Sequence, residues 1–242
     1  MTRRETRRSK NGDSKLLEQQ LTYYRKRAPE YDEWFLRHGR YDRGAQHRSE
    51  WFREVALIER ELHHLVRGKD VLELAAGTGL WTERLANSAK RVVAVDGSPE
   101  VIGINKNRLH SFDVEYQIAD IFTWQPRRTF DVVFFSFWLS HVPAQRFEAF
   151  WDTVRLALNR KGNAFFIDSL LEQTSTARDH APLDRSGTVR RKLNDGREFQ
   201  IVKVFYEPEN LERRLRELGW IGRVRASGKF FVYGSLRPTL PG

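Results

Sequence analysis

The chain has no cysteine. That absence removes a disulfide framework, a thiolate metal site and a cysteine nucleophile together, and no metal is expected. No apolar run approaches the roughly 18 residues that a membrane-crossing helix needs. The basic start, Met1 to Lys10, is followed by no hydrophobic region of the kind a secretory signal carries. The expectation is a cytoplasmic chain without a membrane span.

What is present suits a packed domain. Of 242 residues, 40% are hydrophobic, including 16 Phe and 7 Trp, enough for one α/β domain with additions. The net charge is +10. Residues 1–15 hold six basic side chains against Glu5 and Asp13 and read as a disordered basic tail, so part of the excess is local. The rest is scattered, without the aromatic-interleaved basic stripe that single-stranded nucleic acid favours. A nucleic-acid partner is therefore the weaker expectation beside a small-molecule substrate, aromatic or anionic. A monomer or homodimer fits equally.

Leu17, Leu21, Tyr24 and Ala28 recur at helical spacing before Pro29. Residues 30–44 read as an aromatic loop containing Tyr31, Trp34 and Tyr41, and Trp51, Val55, Ile58, Leu62 and Leu65 mark a second helix stopped by Gly68. From Asp70 short apolar runs alternate with helical stretches, which predicts a parallel sheet covered on both faces. The strands fall at Val71 to Leu74, Val92 to Val95, Val114 to Ile118, Asp131 to Ser136 and Ala164 to Ile167. Leu170 to Gly187 reads as a mobile loop. Asn194-Asp195-Gly196 turns a hairpin, Pro208 to Leu218 is a helix, and Arg223 to Tyr233 folds back as a last hairpin. The expected fold is α/β and doubly wound: a seven-stranded, mostly parallel sheet with an antiparallel C-terminal hairpin, N-terminal helices over 16–68, and a main domain over 69–242 with a β-hairpin lid inserted at 170–206.

The chemistry concentrates where Val71 to Leu74 runs into Ala75-Ala76-Gly77-Thr78-Gly79. A buried strand, a small-residue turn and a helix let backbone approach a ligand closely. Nineteen positions after Gly77, Asp96 closes the second strand, where a carboxylate can accept both ribose hydroxyls. A dinucleotide fingerprint wants a third glycine at the position of Thr82, so a ligand without pyrophosphate is favoured.

These residues resemble the class I methyltransferases of the bacterial small-molecule kind over Asp70 to Asp168. The first motif stands as Glu73 to Gly79, the second-strand acid as Asp96, the third-strand acid as Asp120, and the fourth motif as Phe130 to Ser136. The resemblance implies S-adenosylmethionine as cofactor and S-adenosylhomocysteine as product. It places Glu73, Ala75, Gly77 and Gly79 around the methionine part, with Thr78 and Trp81 beside them, and Asp96 on the ribose, next to Gly97 and Ser98. Asp120 and Ile121 would frame the adenine. Phe135, Ser136 and Phe137 would border the sulfonium. Taken singly the residues say less: Asp120 could cap a turn, and Glu73 would be a costly unpaired carboxylate unless something satisfies it.

Methyl transfer from a sulfonium needs alignment and dryness, and a base only for a protonated acceptor. His141, just past the fourth strand, and Asp168, ending the fifth, are the candidate bases, each with a structural role as the alternative. Tyr23, Tyr31, Trp34 and Trp138 are candidates for the substrate side. Arg190 and Arg191 on the inserted hairpin could meet an anion, though exposed strands also carry charge to resist edge pairing. The rival readings are an RNA or other nucleic-acid methyltransferase, an NAD(P)-dependent oxidoreductase and a catalytically silent partner subunit. Against the first, no N/D-P-P-Y/F follows the fourth strand; against the second, Tyr-x-x-x-Lys is missing.

Overall fold

A computed structural model describes residues 3–239, with side chains from Lys15 onward. Seven strands form one sheet in the order β3-β2-β1-β4-β5-β9-β8. They are β1 (Asp70–Leu74), β2 (Arg91–Asp96), β3 (Val114–Ile118), β4 (Phe130–Ser136), β5 (Leu158–Ser169), β8 (Trp220–Ala226) and β9 (Phe231–Pro238). The first five run parallel, and β9 pairs antiparallel with β5 and β8. The separate pair β6 (Thr188–Lys192) and β7 (Glu198–Val202) is the inserted hairpin.

The two-residue period of the strands divides the core into two layers. Leu72, Val93, Phe135 and Phe166 face one side, covered by α6 (Phe147–Ala157) and α7 (Pro208–Glu217). Val71, Val92, Phe134 and Phe165 face the other, covered by α3 (Ala45–Val66) and α4 (Leu80–Ala86). The third strand departs from the expected buried run. It is the sheet edge, and Ile118 is 57% exposed.

Three segments differ from their sequence reading. Helix α1 spans Arg3–Arg27, so it includes most of the expected tail. The expected aromatic loop contains α2 (Tyr31–Leu36), too short to show a period, with Asp32 and Glu33 at its positive end and Arg37 ending it at φ 59°. The expected mobile loop is anchored to α2: Trp34 Nε1 and Arg37 Nη1 both donate to Ser175 O at 2.9 Å, and Arg37 Nη2 donates to Thr174 O at 2.8 Å. A small third core of Tyr23, Leu183, Val189, Leu193, Ile201 and Phe205 joins α1 to the hairpin.

Candidate active site

The strand order reverses between β1 and β4, and a crevice opens beyond their carboxyl ends. Ala75, Gly77 and Gly79 all have positive φ, which bends the chain sharply out of β1. A Cβ on Gly79 would lie 2.7 Å from Asn105 Oδ1. This glycine is thus required by packing against α5 (Pro99–Arg108). Asn105 Nδ2 donates to Gly77 O at 3.1 Å and Thr82 Oγ1 at 2.8 Å, and Tyr116 donates to Asn105 Oδ1 at 2.9 Å. Thr82, where the third glycine would stand, is bonded and fully buried.

Asp96 Oδ2 accepts from Gly77 N at 3.0 Å and Oδ1 from Ser98 N at 2.9 Å. A carboxylate offers about four acceptor sites, so two backbone donors leave room for two hydroxyls. Burial raises the Asp96 carboxyl above its ordinary value, with the backbone donors at Gly77, Ser98 and Gly97 opposing. A cavity of about 290 Å³ lies in front of it. Ala75, Gly77, Asp96, Gly97, Ser98, Asp120, Ile121, Ser136, Phe137 and Trp138 line it, and Leu17, Gln20, Leu21 and Tyr24 of α1 roof it. Asp120 also caps its own turn, Oδ1 accepting from Phe122 N at 3.0 Å.

A narrower cleft joins Thr78 and Trp81 to Tyr31, Trp34 and Phe137. Glu73 is buried beneath the turn with neither carboxylate oxygen hydrogen-bonded, and burial pushes its carboxyl up to about 8, Thr82 pulling the other way. Phe135 does not reach the crevice; it packs in the core against Phe150, Trp151 and Phe166.

A third cavity, about 50 Å³, lies between α1, α2 and the hairpin. A water needs roughly 10–15 Å³, so this space holds a group of a few heavy atoms. Its lining includes Arg27, Arg191 and Lys203, with Tyr24, Tyr31, Tyr41, Thr176 and His180, and no carboxylate. Arg27 Nη2 donates to Tyr41 Oη at 3.4 Å and its guanidinium lies 4.9 Å from the Tyr31 ring. Arg191 Nη1 donates to Thr176 Oγ1 at 2.9 Å. Lys203 Nζ donates to Ser140 Oγ at 2.8 Å and Asp168 Oδ1 at 3.4 Å. Burial lowers the Lys203 ammonium despite Asp168, with Arg191 adding to the shift. Burial, then Arg191, brings His180 down to about 4. Tyr31 and Phe137 line all three spaces. That shared wall is where donor and acceptor would meet.

Both candidate bases are held by hydrogen bonds, Asp168 outside the cavities and His141 in the wall that the small cavity shares with the larger one. Asp168 accepts from Ser140 N at 2.8 Å and Ser169 N at 2.7 Å besides holding Lys203, and it does not line the small cavity. His141 Nδ1 lies 2.6 Å from Val202 O and Nε2 lies 2.7 Å from Tyr24 Oη. A carbonyl only accepts, so Nδ1 carries the proton and Nε2 accepts from Tyr24. Burial, then Lys203, holds the imidazole well below its ordinary pKa.

Of the substrate-side candidates, Tyr31, Trp34 and Arg191 line the small cavity, and Trp138 lines the larger one against Phe122. Tyr23 lies in the third core and lines neither. Arg190 points outward, its side chain 72% exposed and 3.4 Å from Glu198. The sequence reading missed Arg27 and Lys203. Lys203 carried a signal, since it interrupts the apolar run Ile201-Val202-Lys203-Val204-Phe205.

A family model described as "Methyltransferase domain" matches residues 71–162. The solved "DhpI-SAH complex structure" is 41% identical, covering 93% of this chain and 98% of that one, with a TM-score of 0.76. The "DhpI-SAM-HEP complex" is 42% identical, covering 92% and 98%, with a TM-score of 0.75. The CcbJ methyltransferase from Streptomyces caelestis shares the fold at 17% identity and a TM-score of 0.64, over 90% of this chain and 98% of that one. Comparison with curated proteins returned no match. The chain belongs to the class I S-adenosylmethionine-dependent methyltransferases. Its fold, cofactor and general activity follow.

Proposed function

We propose that this enzyme methylates a small anionic acceptor held by Arg27, Arg191 and Lys203. The observation that carries the reading is a few-atom cavity with three cationic side chains and no carboxylate in its lining, separated from the cofactor's cavity by Tyr24, Tyr31, Phe137 and His141. Asp168 pairs with Lys203 at 3.4 Å from outside the lining, whereas no carboxylate of the lining faces Arg27 or Arg191; buried cations are costly, and an anionic ligand offsets that cost. The 42% identical structure holds SAM and a ligand named HEP, which makes HEP the first acceptor to try here. A cavity of about 50 Å³ also leaves little space for a nucleotide.

The cofactor's residues follow the family's pattern in this reading. Asp96 takes the ribose, Asp120 and Ile121 frame the adenine, and the turn 75–79 seats the methionine end above Glu73. When bound, S-adenosylmethionine supplies an electrophilic methyl group on a sulfonium. Arg27, Arg191 and Lys203 orient the acceptor and keep it deprotonated, so an anionic oxygen attacks without a base. His141 then serves as a strut, holding Tyr24 and the hairpin's Val202 on opposite ring nitrogens. Tyr31, Trp34 and Phe137 exclude water from the line of transfer. Mass spectrometry of reactions with S-adenosylmethionine, HEP and small anions beside neutral isosteres tests this. Methyl products from anions alone are expected; equal turnover of the neutral isosteres would remove the proposal.

A further inference from the structure

Asp32, which lines none of the three cavities, ties α2 to the cofactor's turn. Its Oδ1 accepts from Thr78 Oγ1 at 2.5 Å. Its Oδ2 accepts from Arg108 in the last turn of α5. Thr78 is 1% exposed, lies between Gly77 and Gly79, and lines the cleft on the methionine side. Tyr31, the preceding residue, is common to all three cavities.

We propose that Asp32 is a positioning residue that clasps the lid helix α2 to the cofactor-binding turn, so that filling the cofactor's site and fixing Tyr31 and Trp34 at the methyl-transfer point become one coupled event. Thr78 lies within the turn, between Gly77 and Gly79, and is 1% exposed, so its Oγ1 can hardly shift unless the turn does. A ligand that fixes this turn fixes the hydroxyl on which Asp32 rests. By linkage, whatever α2 adds to the bound state it also gains from it. Arg108 aims the carboxylate; both side chains are about a quarter exposed, at 24% and 26%, so the ion pair by itself contributes little. The stabilising part is the buried hydroxyl contact.

The proposal rests on the cofactor assignment and not on the acceptor's chemistry, so S-adenosylhomocysteine alone is a sufficient probe. Hydrogen exchange over residues 31–41 should slow on its addition to the wild-type enzyme by about five-fold or more, the lower end of ordinary coupling between sites. In Asp32→Ala and Thr78→Val that ligand-dependent slowing should fall below about two-fold. Asp32→Asn, whose amide oxygen still accepts from Thr78, should restore part of it. A merely structural tie would raise exchange equally with and without ligand and leave the increment intact, which would overturn the proposal. Calorimetry on the same samples separates the failures: absence of binding by the wild type would sink the cofactor assignment, whereas binding with an unchanged increment in the variants sinks only the clasp. Should Asp32→Ala fold poorly, Thr78→Val keeps the Asp32–Arg108 pair and carries the test.

Discussion

Replacing Arg191 by methionine separates binding from stability. Its guanidinium donates to Thr176 Oγ1 at 2.9 Å and lies 3.3 Å from His180 Nδ1, and among the described residues no salt bridge to a carboxylate involves it. Burial, and the neighbouring Arg27, lower its pKa. The folded protein therefore gains little from this charge, and Lys203 and His180 are each held down by it. A charge-assisted hydrogen bond contributes about 1.5–3 kcal/mol. At about 1.4 kcal/mol per decade, loss of one such bond to the acceptor raises its KM roughly 10- to 150-fold. Methionine fills similar volume without polar demand. The variant should melt no lower than the wild type, while the KM for S-adenosylmethionine stays within about two-fold, since Arg191 does not line that cavity. Initial-rate kinetics and a thermal melt measure both. An unchanged acceptor KM, or a lower melting temperature accompanying the raised KM, would refute the argument.

Three further outcomes follow from the same site. Asp96→Ala should weaken S-adenosylhomocysteine binding by about 1.5–3 kcal/mol through lost charge-assisted bonds, read by calorimetry. Burial pushes the Glu73 carboxyl up to about 8, against 4.5 ordinarily. The unfolded chain then binds fewer protons across that window, stability falls as pH rises through it, and Glu73→Gln should abolish that decline in denaturant titrations. His180 shows the opposite sign. Its folded value of about 4 lies below 6.5, so the unfolded chain binds the extra proton and stability is lost as pH falls from 6.5 towards 4, a slope that His180→Gln should flatten.

The sheet and the glycine turn are legible in the sequence because each is local. Val71 to Leu74 is continuous and apolar, Gly77 and Gly79 follow at once, and Asp96 closes the next strand. The proposed acceptor pocket is not local. Arg27 ends α1, Arg191 sits on the hairpin and Lys203 follows it, and among 42 basic residues only Lys203, set within an apolar run, is marked by its neighbours. Only the fold that wraps α1 over β7 brings them together, through Gln20, which donates to His141 O and accepts from Val202 N, both at 3.1 Å. Tyr23 misled for a related reason. A helix places adjacent tyrosines about 100° apart, so Tyr24 meets His141 while Tyr23 packs into the third core. The edge placement of β3 did leave a trace, since Glu115 and Gln117 interrupt the run Val114 to Ile118.

A crystal structure of the enzyme with S-adenosylhomocysteine and HEP tests the central claim most directly. The account predicts the adenosyl group over Asp96 and the anionic end of HEP within hydrogen-bonding distance of Arg27, Arg191 and Lys203, with Tyr31 and Phe137 beside the sulfur. HEP bound outside that cavity, with the three cations still facing an empty space, would contradict it.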